Sequence, residues 1–290
     1  MVDLPGAADS IKAAPHYRGH LTPLVFGEVW GEVESAAPAI LLIPGFGGVI
    51  DEPLREVARS FWRTGLCALV VDRPRFGLSG GEPRGELDPE VNVTSFAELL
   101  NGINRGSDGQ VGVWGTSFGA AEALMLAERD ERVKAVVAQA PPRAIRRDVM
   151  VQKELERTVA LDTQRRAEGH SPKSIPLVSD KPNAICAMPG ASAWNHLTKV
   201  ATESWRNEIT VRSLLLCSQV DSAELLRQAS VPVCVIGIRN DPDALSEDEI
   251  PETVEKVFLE GEHYDIYGSS LNESTSAAVS FFKRQFAKTS

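Results

Sequence analysis

Short apolar runs rich in β-branched residues recur at 39–46, 66–74, 110–115, 133–141 and 231–241. Runs of that length and composition suit strands buried on both faces of a parallel sheet. Between the first four lie stretches able to form amphipathic helices, at 53–64, 89–103 and 118–129. Strand then helix, repeated, forces right-handed crossovers, so the expected fold class is α/β with a doubly wound, mostly parallel sheet. The alternation stops after Pro141. The chain then passes through polar, Pro-interrupted sequence around 169–189 before a helical pattern resumes near Leu197. Strand character returns only at VPVCVIGIRND, followed by an expected strand at 254–261 and an amphipathic helix at 274–286. Such an interruption implies an inserted, mainly helical cap. The expected organisation is therefore an N-terminal arm (1–20), an α/β core (21–141 and 230–290) and a cap (142–229).

A chain of 290 residues, 43% hydrophobic, can bury the core of one large domain. Thirty basic against 40 acidic residues give a formal charge of −10, and the pI is near 5.1. That balance repels phosphate backbones and anionic lipid, so neither nucleic acid nor a membrane is an expected partner. Residues 1–20 carry two acids before any base and no continuous apolar segment, which does not read as a secretory signal and leaves a cytoplasmic location as the default expectation. The longest apolar stretch, 36–50, is broken by Pro44, Gly45, Gly47 and Gly48 and falls short of a membrane span. Cys67, Cys186, Cys217 and Cys234 lie far apart, two of them inside apolar runs. Reduced core thiols are expected; a nucleophilic cysteine paired with a histidine is the alternative, although no motif surrounds any of the four.

The sharpest local pattern is VGVWGTSFGAAEALMLA, where Gly115, Ser117 and Gly119 sit between an apolar strand and a helix. At such an elbow the serine backbone is strained, and small flanking residues let strand and helix approach while the hydroxyl projects outward. The same letters would also fit a Gly-rich turn in which Ser117 merely caps the helix. A serine hydroxyl acting as nucleophile needs a base of near-neutral pKa. His263, in LEGEHYDIYG between the last expected strand and the last helix, is the candidate. His16 and His20 precede the expected sheet, and His170 and His196 fall in the irregular block, where a surface or cap role is expected. The imidazole needs an acceptor, and Asp241 ends the strand before the histidine's strand, with Asp243 as its competitor; the chain order Ser, acid, His is that of such sites. Asp265 reads as a loop-ordering or helix-capping group. Asp72 is expected to pair with Arg73 or Arg75. A developing oxyanion needs preorganised donors. The backbone N–H groups of Phe46, in IPGFGG, and Phe118, which opens a helix, are the candidates, IPGFGG as a plain flexible turn being the alternative. Trp194 and Trp205 either line an acyl tunnel or pack in the core.

At these residues, over 39–286, the chain resembles the α/β-hydrolase superfamily. PGFGGVIDE, VVDRPRFGLSGGEPRGELDP, VGVWGTSFG, VKAVVAQAP and GEHYDIYG together resemble a branch holding serine-aminopeptidase-like hydrolases and fungal polyketide transferases or thiohydrolases. The resemblance implies that Ser117, Asp241 and His263 form a catalytic triad. It also implies hydrolysis of an ester or thioester of an acyl or polyketide-type substrate, small or carrier-bound, with no metal or organic cofactor. Three departures stand out: Pro44-Gly45 replaces the frequent His-Gly, Ile50 replaces a common Lys, and Ala120 replaces the second Gly after the elbow. The first two flank the site and bear on substrate choice. Acyltransferase, lactonase or lyase chemistry on the same scaffold, or a non-catalytic binding protein, are the rivals. A dehalogenase or epoxide hydrolase would normally carry Asp at the elbow. Oligomeric state stays open, a homodimer included.

Overall fold

The computed structural model describes residues 14–32, 37–103, 110–145, 147–181 and 183–288. An eight-stranded sheet runs through its centre. In chain order its strands are β1 (Tyr17–His20), β2 (Phe26–Trp30), β3 (Ala39–Ile43), β4 (Cys67–Val71), β5 (Val111–Thr116), β6 (Val133–Gln139), β7 (Val233–Ile238) and β8 (Glu255–Leu259). They lie in the order β1-β2-β4-β3-β5-β6-β7-β8. From β4 to β8 every neighbouring pair is parallel, and β1 and β2 add antiparallel at one edge. Each expected strand forms, shorter than its apolar run except β5, which keeps its length one residue further on. Tyr17–His20 also corrects one expectation: His20 belongs to the sheet rather than preceding it. β2 escapes apolar-run detection because Glu28 sits at its centre, a buried carboxylate held by Arg18 at 3.1 Å and Arg55 at 2.9 Å. Residues 1–13 of the expected arm lie outside the described residues.

Helices cover both faces. α1 (Glu52–Arg63), α2 (Pro89–Ile103) and α3 (Phe118–Arg129) follow β3, β4 and β5, and α8 (Leu271–Phe286) closes the chain. Alternation of side chains along each strand separates two cores. On one face Leu41, Ile43, Leu69 and Val113 meet Phe96 and Leu100 of α2 and Leu124 of α3. On the other, Ile40, Leu42, Val70 and Trp114 meet Phe61 of α1 and Phe281 and Phe282 of α8. No helix among the described residues is long and apolar enough to cross a membrane.

Between β6 and β7 the chain forms α4 (Val149–Ala167), α5 (Ala191–Val200), α6 (Val211–Cys217) and α7 (Ser222–Gln228). Two short pairings, Ser174–Ile175 with Ile209–Thr210 and Val178–Ser179 with Met188–Pro189, link them. Much of this segment rests on the sheet's carboxyl edge through a third core, in which Leu177, Val178, Ala193 and Ile209 pack on Val49, Phe76, Leu87 and Phe118. A buried carboxylate adds a polar tie: Glu86 lies 2.8 Å from Arg166 of α4, 3.3 Å from Arg75 and 3.7 Å from Arg212 of α6.

Candidate active site

Between Thr116, the last residue of β5, and Phe118, the first of α3, stands Ser117 alone. Its backbone takes φ 51° and ψ −123°, outside the basins that side-chain-bearing residues favour, at a cost of about 1–3 kcal/mol. The surrounding structure enforces this. Its N–H donates to the Gln139 carbonyl at 2.8 Å, and its carbonyl accepts from Ala120 N–H at 2.9 Å. A Cβ on Gly115 would lie 2.0 Å from the Gly119 carbonyl oxygen, and one on Gly119 only 2.3 Å from that of Pro44. Only glycine permits this crossing of strand, helix and the turn after β3. Ser117 is the single residue from 111 to 127 that is not buried.

β3 ends at Ile43 because Pro44 has no N–H to continue the ladder. The turn that follows closes with Gly48 N–H donating to the Gly45 carbonyl at 3.0 Å. Beneath it Arg73, fully buried, donates to the Gly45 carbonyl at 2.8 Å and also to that of Pro44. The same guanidinium meets Glu122 of α3 at 2.6–2.7 Å, and Asn92 Nδ2 donates to the other Glu122 oxygen at 2.7 Å. One buried ion pair thus ties the Phe46 turn to the Ser117 helix. Phe46 and Phe118 meet edge to face, ring centroids 5.8 Å apart. Among the described residues neither backbone N–H has a protein hydrogen-bond partner; for Phe118 this is the orphan-donor position of a helix's first turn.

The expected ion pairs of Asp72 do not form. Its carboxylate instead accepts the amides of Ile50 at 2.7 Å and Leu78 at 2.8 Å, while Arg73 goes to Glu122 and Arg75 to Glu86. Backbone amides reach a buried carboxylate without ordering a long side chain, and the two turns they come from converge on it.

Asp241 and His263 leave neighbouring parallel strands β7 and β8, whose last paired residues are Ile238 and Leu259. Asp241 Oδ2 lies 2.6 Å from His263 Nδ1, the carboxylate buried and the ring 12% exposed. Burial opposes the charge on Asp241. The bond and charge of His263 and the amides of Asp243 and Ala244 outweigh it, holding the carboxyl below its usual range. Asp243 donates its N–H to Asp241 Oδ1 at 2.9 Å. Among the described residues, Asp241, Asp243 and His263 form the one grouping of metal-capable side chains, with donor atoms within 4.8 Å of one another. Asp265 accepts the Glu262 amide at 2.8 Å and caps the short turn of helix at His263–Tyr267, as expected of it.

Ser117, His263, Asp243, Phe46 and Phe118 line one cavity of about 650 Å³, within the range of small-molecule sites. Sequence reasoning missed its aromatic wall. His196 of α5 stacks on Tyr264 with centroids 4.8 Å apart and lies tilted against Tyr267 at 4.9 Å. Burial, then the neighbouring His263 and Lys199, pulls His196 down to about 4, so it is neutral at pH 7. Tyr267 shares a 2.7 Å hydrogen bond with Thr116, next to the serine. The three-residue spacing of Tyr264 and Tyr267 in HYDIYG was the available signal, since one turn of 3₁₀ helix eclipses such a pair. His170 is exposed on the surface, 4.0 Å from Glu168. Trp194 and Trp205 pack against the third core, and neither lines the cavity. The cysteines are free; burial pushes the Cys67 and Cys234 thiols up to about 12 and raises that of Cys217, so these three stay protonated at neutral pH.

The family model for the alpha/beta hydrolase fold matches residues 38–242, and the chain belongs to that family. Among its relatives, the thiohydrolase apmlB of Arthrinium phaeospermum is 30% identical over 62% of this chain and 63% of its own. Polyketide transferase ATR5 of Stachybotrys chlorohalonatus is 36% identical over 36% of each chain. The alignments thus span less than two thirds of these relatives. The expected kinship with fungal thiohydrolases and polyketide transferases is present. Among solved structures, the alpha/beta hydrolase GrgF from Penicillium superposes with a TM-score of 0.79 at 22% identity, over 91% of this chain and 94% of that one. A monoglyceride lipase variant from Saccharomyces cerevisiae does so with a TM-score of 0.67 at 14% identity, over 98% and 99%.

Proposed function

We propose that this protein is a serine hydrolase that cleaves ester or thioester bonds of an acyl substrate. Ser117 attacks the acyl carbon, His263 accepts its proton, and Asp241 holds the ring and stabilises the imidazolium. The backbone N–H groups of Phe46 and Phe118 receive the oxyanion. Collapse of the tetrahedral adduct breaks the bond to the leaving group, to which His263 returns the proton. Water, deprotonated by the same histidine, then releases the acid from the acyl-enzyme. The observation that carries this reading is the 2.6 Å Asp241–His263 hydrogen bond beside a cavity that His263 shares with the strained Ser117. Residues 142–229 act as a cap on the α/β core (21–141 and 230–290), because they supply Ile145, Arg147, Ala193, His196 and Leu214 to the cavity. The likeness to thiohydrolases favours thioesters, and the likeness to polyketide transferases favours a second acceptor in place of water.

Intact-mass measurement after fluorophosphonate treatment tests this. A single adduct on the wild type, absent from Ser117→Ala, is expected, and wild type without adduct would refute the hydrolase reading. Octanoyl thioester turnover, with and without an added alcohol, then separates hydrolysis from acyl transfer.

A further inference from the structure

Two arginines that the proposed chemistry does not use, Arg143 and Arg147, line the cavity. Arg147 lines the same space as Ser117 and His263, yet its Nη1 is buried with no hydrogen-bond partner among the described residues. Its Nη2 makes only a 3.3 Å contact to the Leu214 carbonyl, and no described carboxylate comes within 4.0 Å of it. Nearby acids are engaged elsewhere. Asp148, the next residue, caps α4 through the Met150 amide at 2.8 Å. Asp51, also on the cavity wall, caps α1 through the Leu54 amide at 2.9 Å, and Asp243 belongs to the cluster around His263. Arg143, the other cavity-lining arginine, shows the ordinary solution: Glu249 lies 2.8 Å from its guanidinium. Arg147 lacks one, and burial lowers its pKa accordingly.

Arg147 is partly buried, a guanidinium nitrogen kept from water without a partner is costly, and the planar fork matches carboxylate and phosphate oxygens. Resting on the hydrolase reading above, we infer that Arg147 is a substrate subsite for an oxyanionic group, so that the preferred acyl substrate carries a carboxylate or phosphate away from the bond that Ser117 attacks. A charge-assisted hydrogen bond to such a group corresponds to roughly tenfold or more in specificity.

Two pairs of compounds separate the sources of that anion. Monomethyl and dimethyl suberate are near-isosteric methyl esters that differ by one carboxylate on the acyl chain. Octanoyl-phosphopantetheine and octanoyl-pantetheine differ by one phosphate on the leaving group. The kcat/KM ratio of anionic to neutral member is measured for wild type, Arg147→Met and Arg147→Lys, with the melting temperature of each. One pair should show a ratio of about ten or more that falls towards one in Arg147→Met and is partly kept in Arg147→Lys; the pair that responds names the source. Should Arg147→Met fail to fold, Arg147→Gln replaces it. Ratios near one in both pairs, or a preference that survives removal of the charge, would overturn the subsite. Calorimetric affinities of both pairs for Ser117→Ala, with and without Arg147→Met, read the subsite without turnover. There, loss of the anion preference on adding Arg147→Met supports the subsite and its persistence refutes it, independently of serine labelling, which alone bears on the hydrolase reading.

Discussion

At the scale of single residues, two carboxylates close to one imidazole have different duties. Asp241 accepts from the ring, whereas Asp243 turns its amide onto Asp241. Asp241→Asn is therefore expected to lower kcat by about 10⁴, as loss of the orienting acid does in serine proteases, while Asp243→Asn stays within about tenfold of wild type because its contact is through the backbone. Ester turnover by the two variants decides between them, and equal losses would mean that the acid is misassigned. Asp51 carries a pH signature. Burial raises its pKa to about 6, against opposing contributions from the Leu54 amide and Arg55. The folded state therefore holds a proton that the unfolded chain releases above about pH 4. The stability this group contributes is complete below that pH and is lost as pH rises through 6. Asn keeps the cap acceptor without the charge. Asp51→Asn should melt above wild type at pH 7–8, with the gap closing below pH 5; a gap independent of pH would contradict this.

Among elements, what aligns the site is contact between turns rather than side chains reaching across it. The Arg73–Glu122 pair, 0% exposed on both sides, fastens the Pro44–Gly45 carbonyls to α3 and so ties the turn that carries Phe46 to the helix that Phe118 opens. Removing one partner of such a pair leaves a buried charge uncompensated, at about 3–5 kcal/mol. Glu122→Gln should accordingly show a large drop in denaturation midpoint. At temperatures where it remains folded, the proposed oxyanion role of the Phe46 and Phe118 amides predicts that its kcat falls more than its KM rises, since a displaced donor weakens the transition state more than the ground state. A variant as stable and active as wild type would remove the pair from that role.

Across the whole molecule, the α/β core and residues 142–229 meet through an apolar layer and the Glu86 tie. Glu86→Gln keeps shape but takes away the carboxylate that Arg75, Arg166 and Arg212 share, leaving Arg166, among the described residues, only Asp162 at 3.8 Å. It should speed proteolytic cleavage within 142–229 and raise KM while Ser117 labelling persists, because the apolar layer remains. Cleavage at the wild-type rate would show that the layer alone holds the two parts together.

The amino-acid sequence by itself determined the parallel sheet, the order of its central elements and the strand-to-helix turn around Ser117. Those features follow from local rules: a buried strand is apolar throughout, a covering helix repeats every 3.6 residues, and Gly115 and Gly119 stand where any Cβ would strike backbone. α4 obeys no such rule. Only Val159 and Asp162 of its residues are buried, so it presents no apolar stripe to read. Similarly, which aspartate meets His263, the amides that claim Asp72, the stack of His196 on Tyr264 and the unpaired Arg147 all depend on loops from distant parts of the chain arriving at one sheet edge. Charge and hydrogen-bond partners at that edge are chosen by distances of a few ångströms, and only the packed tertiary structure sets them.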